Sequence, residues 1–183
     1  MQPLDTERLR LRLVERADAP ALQALVSDRR IAETTLNIPY PYPESGAVDW
    51  ITRVLERREQ GQADCSFVIL RRSDNVLLGA IGIHPDDAFQ AEIGYWMGVP
   101  YWGQGYMTEA ARRVIQFGFE ALELNRIRAW YFTHNPASAR VMQKAGMTFE
   151  GIMRQHYVKW NKFVDVGCYS ILRSEYEAQR QMD

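Results

Sequence analysis

Residues 90–108 read QAEIGYWMGVPYWGQGYMT, and the rest of the chain can be placed around them. Residues 90–99 alternate: Ala91, Ile93, Tyr95 and Met97 fall on one face, Glu92, Gly94 and Trp96 on the other. A period of two predicts a strand. After Pro100 comes a turn holding Gly103 and Gly105. Thr108 is then expected to begin a helix to about Glu120, with Ala111, Val114, Ile115 and Phe119 on its buried face. The two glycines permit positive φ and close backbone approach. Successive N–H groups in such a turn, together with the positive end of a helix, suit an anion such as a pyrophosphate without any lysine. The same residues also suffice for a plain strand-to-helix turn capped by Thr108. Two nucleotide motifs fail: Thr108 stands where G-x-G-x-x-G needs its third glycine, and no lysine follows as G-x-x-x-x-G-K-[ST] requires.

Upstream, TERLRLRL at 6–13 alternates strictly and predicts a half-exposed strand with Leu9, Leu11 and Leu13 inward. Asp18 opens a helix to about Val26, with Ala21, Leu22 and Leu25 buried. Pro39, Pro41 and Pro43 exclude helix and central strand from the loop that follows. Ser45 starts a second helix to about Gln60, with Val48, Ile51, Val54 and Leu55 recurring at helical spacing. Strands near 65–71 and 76–84 flank the turn Ser73-Asp74-Asn75. Downstream, a strand near 126–132, a short helix from Asn135-Pro136 to before Gly146, and strands near 148–158 and 164–172 complete the chain. The order is β-α-α-β-β-β-α-β-α-β-β, an α+β arrangement around one largely antiparallel sheet, expected as a single domain over 1–183.

The 183 residues carry 22 Lys plus Arg against 23 Asp plus Glu, a net charge of -1, which gives no general pull toward nucleic acid or an anionic membrane. The N-terminus lacks the apolar run of a secretory signal and no segment is long enough to span a bilayer, so a cytoplasmic location is expected. Cys65 and Cys168 lie in apolar runs and read as buried thiols rather than a disulfide. His84 and His156 have no partner at ligand spacing, His134 reads as structural, and no metal site is expected.

A second constellation is Asn135-Pro136-Ala137-Ser138. Asn135 as N-cap, Pro136 at the first helical position and Gly146 past the end explain it structurally, yet the Asn135 amide can also serve a ligand. The combination of EIGYW, YWGQGYMTEA, N-x-x-S and AGMTFEG resembles the GNAT superfamily of N-acetyltransferases, and most the RimJ/RimL branch. The opening TERLRLR and the closing DVGCYSILRSE extend the similarity over nearly the whole chain. The resemblance implies a twisted sheet of about seven strands with helices on its flanks, whose central strands at 90–99 and 126–132 splay around the pantetheine arm of coenzyme A. It implies that Trp102, Gly103, Gln104, Gly105, Tyr106, Met107 and Thr108 hold the pyrophosphate, and that backbone around Trp96, Met97 and Gly98 binds the arm, with Asn135 and Ser138 assisting. Within the family pattern Q/R-x-x-G-x-G/A only Gly105 matches outright, and Met107 replaces a small residue.

Acetyl-CoA is then the co-substrate and an amine the acceptor, either a protein N-terminus or a small molecule, in a chain that can also pair as a homodimer. Direct transfer needs a base, an oxyanion donor and stabilisation of the thiolate. Glu92 is the favoured base and Glu150 its rival; Ser138 is placed to meet the sulfur. The tyrosine that many family members carry seven residues after the asparagine is Met142 here, so that role does not transfer. Tyr40, Tyr42, Trp50, Tyr157 and Trp160 are candidates to line an acceptor cleft. The competing function class is a non-catalytic acyl-CoA-binding or sensing module. A dinucleotide-binding domain is disfavoured by the missing glycine and the missing β-α alternation.

Overall fold

A computed structural model describes residues 1–62 and 65–181. The chain runs β1 (Leu4–Asp5), β2 (Leu9–Leu13), α1 (Ala19–Val26), α2 (Arg29–Thr34), α3 (Gly46–Glu59), β3 (Cys65–Arg71), β4 (Leu77–Pro85), β5 (Gln90–Met97), α4 (Tyr106–Glu120), β6 (Arg126–Phe132), α5 (Pro136–Lys144), β7 (Thr148–Lys159), β8 (Lys162–Leu172) and α6 (Arg173–Arg180). The strands form one sheet in the order β1-β2-β3-β4-β5-β6-β8-β7. Every neighbouring pair is antiparallel except β5 with β6, the pair joined by the crossover helix α4.

The alternation in the strands sends side chains to two cores. One lies under α4 and α5 and takes Leu9, Leu11, Phe67, Ile69, Ile81, Ile83, Ala91, Ile93, Ile127 and Ala129. The other lies under α1 and α3 and takes Val14, Leu22, Ile51, Val54, Val68 and Leu70. Each large aliphatic or aromatic side chain removed from water contributes roughly 1.5–3 kcal/mol. Both faces of the sheet are therefore held, and the opening described below passes between the two cores. Cys65 and Cys168 are buried free thiols.

Several expectations shift. The sheet has eight strands, because the two-residue β1 pairs with β2. Helix α1 buries Ala19, Leu22 and Val26 and leaves Ala21 exposed; α3 buries Ala47, Ile51 and Val54, and Val48 is 52% exposed. In each helix a nearby alanine, Ala19 or Ala47, is buried instead. Asp18 caps no N–H of α1. It is 5% exposed and instead grips the Arg12 guanidinium at 2.6 and 2.8 Å and accepts from the Glu15 N–H. Helices α2 and α6 were not expected: α2 is six residues capped by Asp28 with only Ile31 and Ala32 buried, and α6 has no buried residue. Tyr176 of α6 docks by stacking on Phe119, ring centroids 4.9 Å apart. Among the described residues no helix is long and apolar enough to cross a membrane.

Candidate active site

Strands β5 and β6 are paired only at Gln90–Arg126, Ala91–Ile127 and Glu92–Arg128. Beyond those positions β5 continues to Met97, on β4, and β6 to Phe132, on β8, without pairing to one another. The sheet is split there. A cavity of approximately 1050 Å³ runs through the split and is lined from both faces, by Trp50, Glu92 and Trp130 on one side and Tyr95, Tyr131 and Ser138 on the other.

The edge of β5 turned toward the gap follows from its register with β4. The Gly98 N–H donates to the Leu78 carbonyl at 2.8 Å. Main-chain groups two residues apart point the same way, so Trp96 and Gly94 also face β4, and Ile93, Tyr95 and Met97 face the gap. This corrects the expectation for Trp96 and Gly98: their main-chain polar groups are turned toward the neighbouring strand. The Met97 carbonyl is taken as well, by the Trp102 indole N–H at 2.7 Å. Trp96 lines the cavity, and neither Gly98 nor Gln104 does.

At the end of β5 a short 3-10 turn, Val99–Tyr101, leads to Gly103 and Gly105, with φ of 75° and 80°. Helix α4 begins at Tyr106, two residues before the expected Thr108, because Gly105 in the left-handed region turns the chain directly into the helix. Tyr106 and Met107 are buried under its first turn. Gln104 is fixed by its amide on the Pro100 carbonyl at 3.0 Å and by the Arg8 guanidinium on its own carbonyl at 3.1 Å. Among the described residues no protein acceptor meets the main-chain N–H groups of 103–108, and Gly103, Gly105, Tyr106, Met107 and Thr108 line the cavity. Converging free amides at a helix N-terminus favour an anionic group.

Glu92 lies in the cavity wall where the strands part. Its Oε2 accepts from the Trp130 indole N–H at 3.0 Å and from Arg128 at 3.4 Å, while Arg128 spends most of its fork on Asp86. Among the described residues Oε1 takes no hydrogen bond, and the side chain is 39% exposed. The carboxylate is held by one oxygen and free at the other. His84 stands opposite it in register on β4 and also lines the cavity.

Glu150 is elsewhere. It does not line the cavity; its carboxylate is bound to Arg126 and accepts from Ser170 Oγ at 2.7 Å, and the Arg126 guanidinium draws its pKa down to about 2. That removes the rival base, since a carboxylate so tightly held is a weak proton acceptor.

Asn135 caps α5, its side chain accepting from the Ser138 N–H at 3.4 Å, and both residues line the cavity. Met142 is 1% exposed in the core, far from any proton-donating role. Among the described residues the hydroxyl that reaches Ser138 is that of Tyr95, 2.9 Å from its Oγ. Sequence reasoning had assigned Tyr95 only to the apolar face of β5, because its partner lies 43 residues away and only folding joins them.

On the acceptor side, Ile38, Pro39, Tyr42, Pro43, Trp50 and Tyr157 line the cavity, and Tyr40 and Trp160 do not. The loop is pinned to the β7–β8 hairpin by Lys159, whose ammonium donates to the Leu36 and Ile38 carbonyls at 3.0 and 2.7 Å. His134 bonds the Glu33 carbonyl at 3.0 Å and stacks on Phe132, and His156 stacks on Trp130. Among the described residues no cluster of His, Cys, Asp or Glu is arranged to hold a metal.

A split central pair of strands with a glycine turn and helix N-terminus at its mouth defines an acyltransferase architecture, and the comparisons agree. Residues 8–148 match the family model described as the acetyltransferase (GNAT) domain, and the chain belongs to that family. It is 34% identical over 178 residues to an uncharacterized N-acetyltransferase, p20, of Bacillus licheniformis, covering 96% of this chain and 99% of that one. A GNAT-family acetyltransferase from Bacillus anthracis superposes with a TM-score of 0.84 at 26% identity, covering 94% and 99% of the two chains. The fold is shared equally, TM-score 0.84 at 20% identity over 93% and 98%, with the ribosomal L7/L12 α-N-protein acetyltransferase RimL in complex with coenzyme A. The chain is thus an acetyl-CoA-dependent acetyltransferase acting on amines.

Proposed function

We propose that acetyl-CoA and a primary amine meet inside the slit between β5 and β6, and that the acetyl group passes directly between them in a ternary complex. The observation that carries this is the end of β5–β6 pairing at Glu92–Arg128, with Glu92 on one face of the sheet and Ser138 on the other. The diphosphate of the donor lies on the N–H groups of 103–108. Its arm then runs along the free edge of β5, where main-chain groups of Ile93 and Tyr95 and the Met97 N–H face the gap as partners, as a neighbouring strand would. The thioester reaches the point where the strands close.

Glu92 takes the amine proton through its free Oε1, directly or through one water. The amine nitrogen attacks the carbonyl carbon from the Glu92 face. A main-chain N–H on the gap side of β5 steadies the oxyanion, and the sulfur departs toward Ser138. The acceptor is a protein N-terminal amine or a small-molecule amine: the aromatic walls at Tyr42, Trp50 and Tyr157 suit an apolar or extended group beside the amine. RimL, whose fold this chain shares, acts on a protein N-terminus by its name, which supports the first of these.

The test is thiol release from acetyl-CoA with a panel of peptides and small amines. Glu92→Gln should lower kcat about 10²-fold on any accepted amine. An unchanged rate would remove Glu92 from the mechanism, and binding of coenzyme A without turnover on any amine would refute the transfer reading.

A further inference from the structure

The proposed transfer gives no task to Tyr95, a polar group in the wall of the slit. Tyr95 projects from the gap side of β5 toward α5, packed against the larger core. Its hydroxyl lies 2.9 Å from Ser138 Oγ, where either oxygen can be the donor, and 3.2 Å from the Ser138 carbonyl oxygen, a second acceptor for the phenol hydrogen. Ser138 is in the first turn of α5, and its position is set by the Asn135 cap. Tyr95 and Ser138 thus bridge the split, one from each side of the opening, on the face away from Glu92.

A serine hydroxyl beside a leaving sulfur is useful only if its hydrogen points at the sulfur. A free hydroxyl rotates. Left alone, Ser138 would have a nearby tyrosine oxygen to donate to. If Tyr95 is the donor, the Ser138 oxygen is occupied as an acceptor and its own hydrogen is freed for the slit. Chained hydrogen bonds also polarise one another, which strengthens the outer donor. Burial pushes the Tyr95 phenol up, well above its ordinary range, so it stays a donor across the working pH range.

We propose that Tyr95 is a positioning residue for the leaving group: its hydroxyl donates to Ser138 Oγ and holds the Ser138 O–H aimed at the sulfur in the slit. This rests on the reading that the thioester lies between β5 and β6. In the step itself the nitrogen–carbon bond forms and the carbon–sulfur bond breaks with its electron pair going to sulfur. The amine proton goes to Glu92. The thiolate is stabilised by the Ser138 hydrogen bond, and Tyr95 keeps its proton throughout.

Two measurements test it. The first needs no acceptor: coenzyme A is bound to the protein and its thiol titrated by thiolate absorbance. A hydrogen bond given to the charged form lowers a pKa, so the bound thiol should titrate about one unit lower in the native protein than in Tyr95→Phe or Ser138→Ala. The second is steady-state transfer. Tyr95→Phe should lower kcat about tenfold with KM for acetyl-CoA unchanged, less than the ~10²–10³ that loss of a direct donor costs. The double variant should be no slower than Ser138→Ala alone, whereas Ser138→Thr, which keeps a hydroxyl, should remain sensitive to Tyr95→Phe. An identical thiol titration in native protein and Tyr95→Phe, or fully multiplicative losses in the double variant, would overturn the proposal. Failure to acetylate any amine would instead refute the transfer reading and leave the thiol titration to decide this one.

Discussion

Gly94 offers a sharp test of where the acceptor sits. It lies between Glu92 and Trp96 on one face of β5 and lines the cavity. A Cβ built there meets nothing within 4 Å, and its φ is outside the positive region. Valine is therefore compatible with the strand and should leave the thermal midpoint unchanged or raise it, being a good strand former. Its two methyls would occupy the space through which the amine must approach the thioester. Displacing a reactant by about 1 Å costs about 10²-fold, so kcat/KM for the amine should fall by that factor, ~2.7 kcal/mol of transition-state stabilisation at 1.36 kcal/mol per tenfold. In the proposed complex the donor's phosphates lie beyond the end of the strand, at 103–108, so Kd for coenzyme A should be nearly constant. Thiol release at varied amine concentration and calorimetry with coenzyme A read the two quantities. Undiminished kcat/KM, or a parallel loss of coenzyme A affinity, would show that the amine does not approach over Gly94.

Other perturbations separate the remaining parts. Gly105→Ala forces a side chain into the left-handed region at φ 80°, costing roughly 1–2 kcal/mol; calorimetry should show weaker coenzyme A binding along with a lower melting temperature. Arg12→Ala strands the buried Asp18 carboxylate, a loss of about 3 kcal/mol, or about 10 °C by differential scanning calorimetry for a chain of this size. Because the Glu150 pKa is depressed to about 2 from 4.5, its ion pair with Arg126 stabilises the fold above about pH 4.5 and that contribution disappears as pH falls toward 2. Glu150→Gln should flatten the pH dependence of the melting temperature in that window, and unlike Glu92→Gln it should keep its turnover.

Local chemistry made much of this legible in advance. The glycines at 103 and 105 advertise a positive-φ turn whatever surrounds them, and the alternation of 90–97 correctly sorts Glu92 from Tyr95 because a strand has only two faces. What depends on neighbouring strands was not legible. Whether the amides of Trp96 or of Met97 face the gap is decided by the Gly98–Leu78 hydrogen bond, and no periodicity within β5 contains that parity. Glu150 looked like Glu92 as a residue type; the difference is Arg126, which the β6–β8–β7 order brings to it. The early start of α4 was hidden because Thr108 is a better cap by type than Gly105, yet glycine's backbone freedom prevailed. Helix α6 escaped because RSEYEAQR carries almost no apolar signal apart from Tyr176.

An opening that perforates a sheet has different traffic from a pit on one side of it. In the proposed ternary complex donor and acceptor would come in through separate doorways, so that neither has to wait for the other to clear the passage and each product can withdraw the way its parent came. On that proposal a bulky acceptor needs to present only its tip at the Glu92 doorway. Any inhibitor that joins the two substrates in one molecule would have to be threaded through the plane of the sheet.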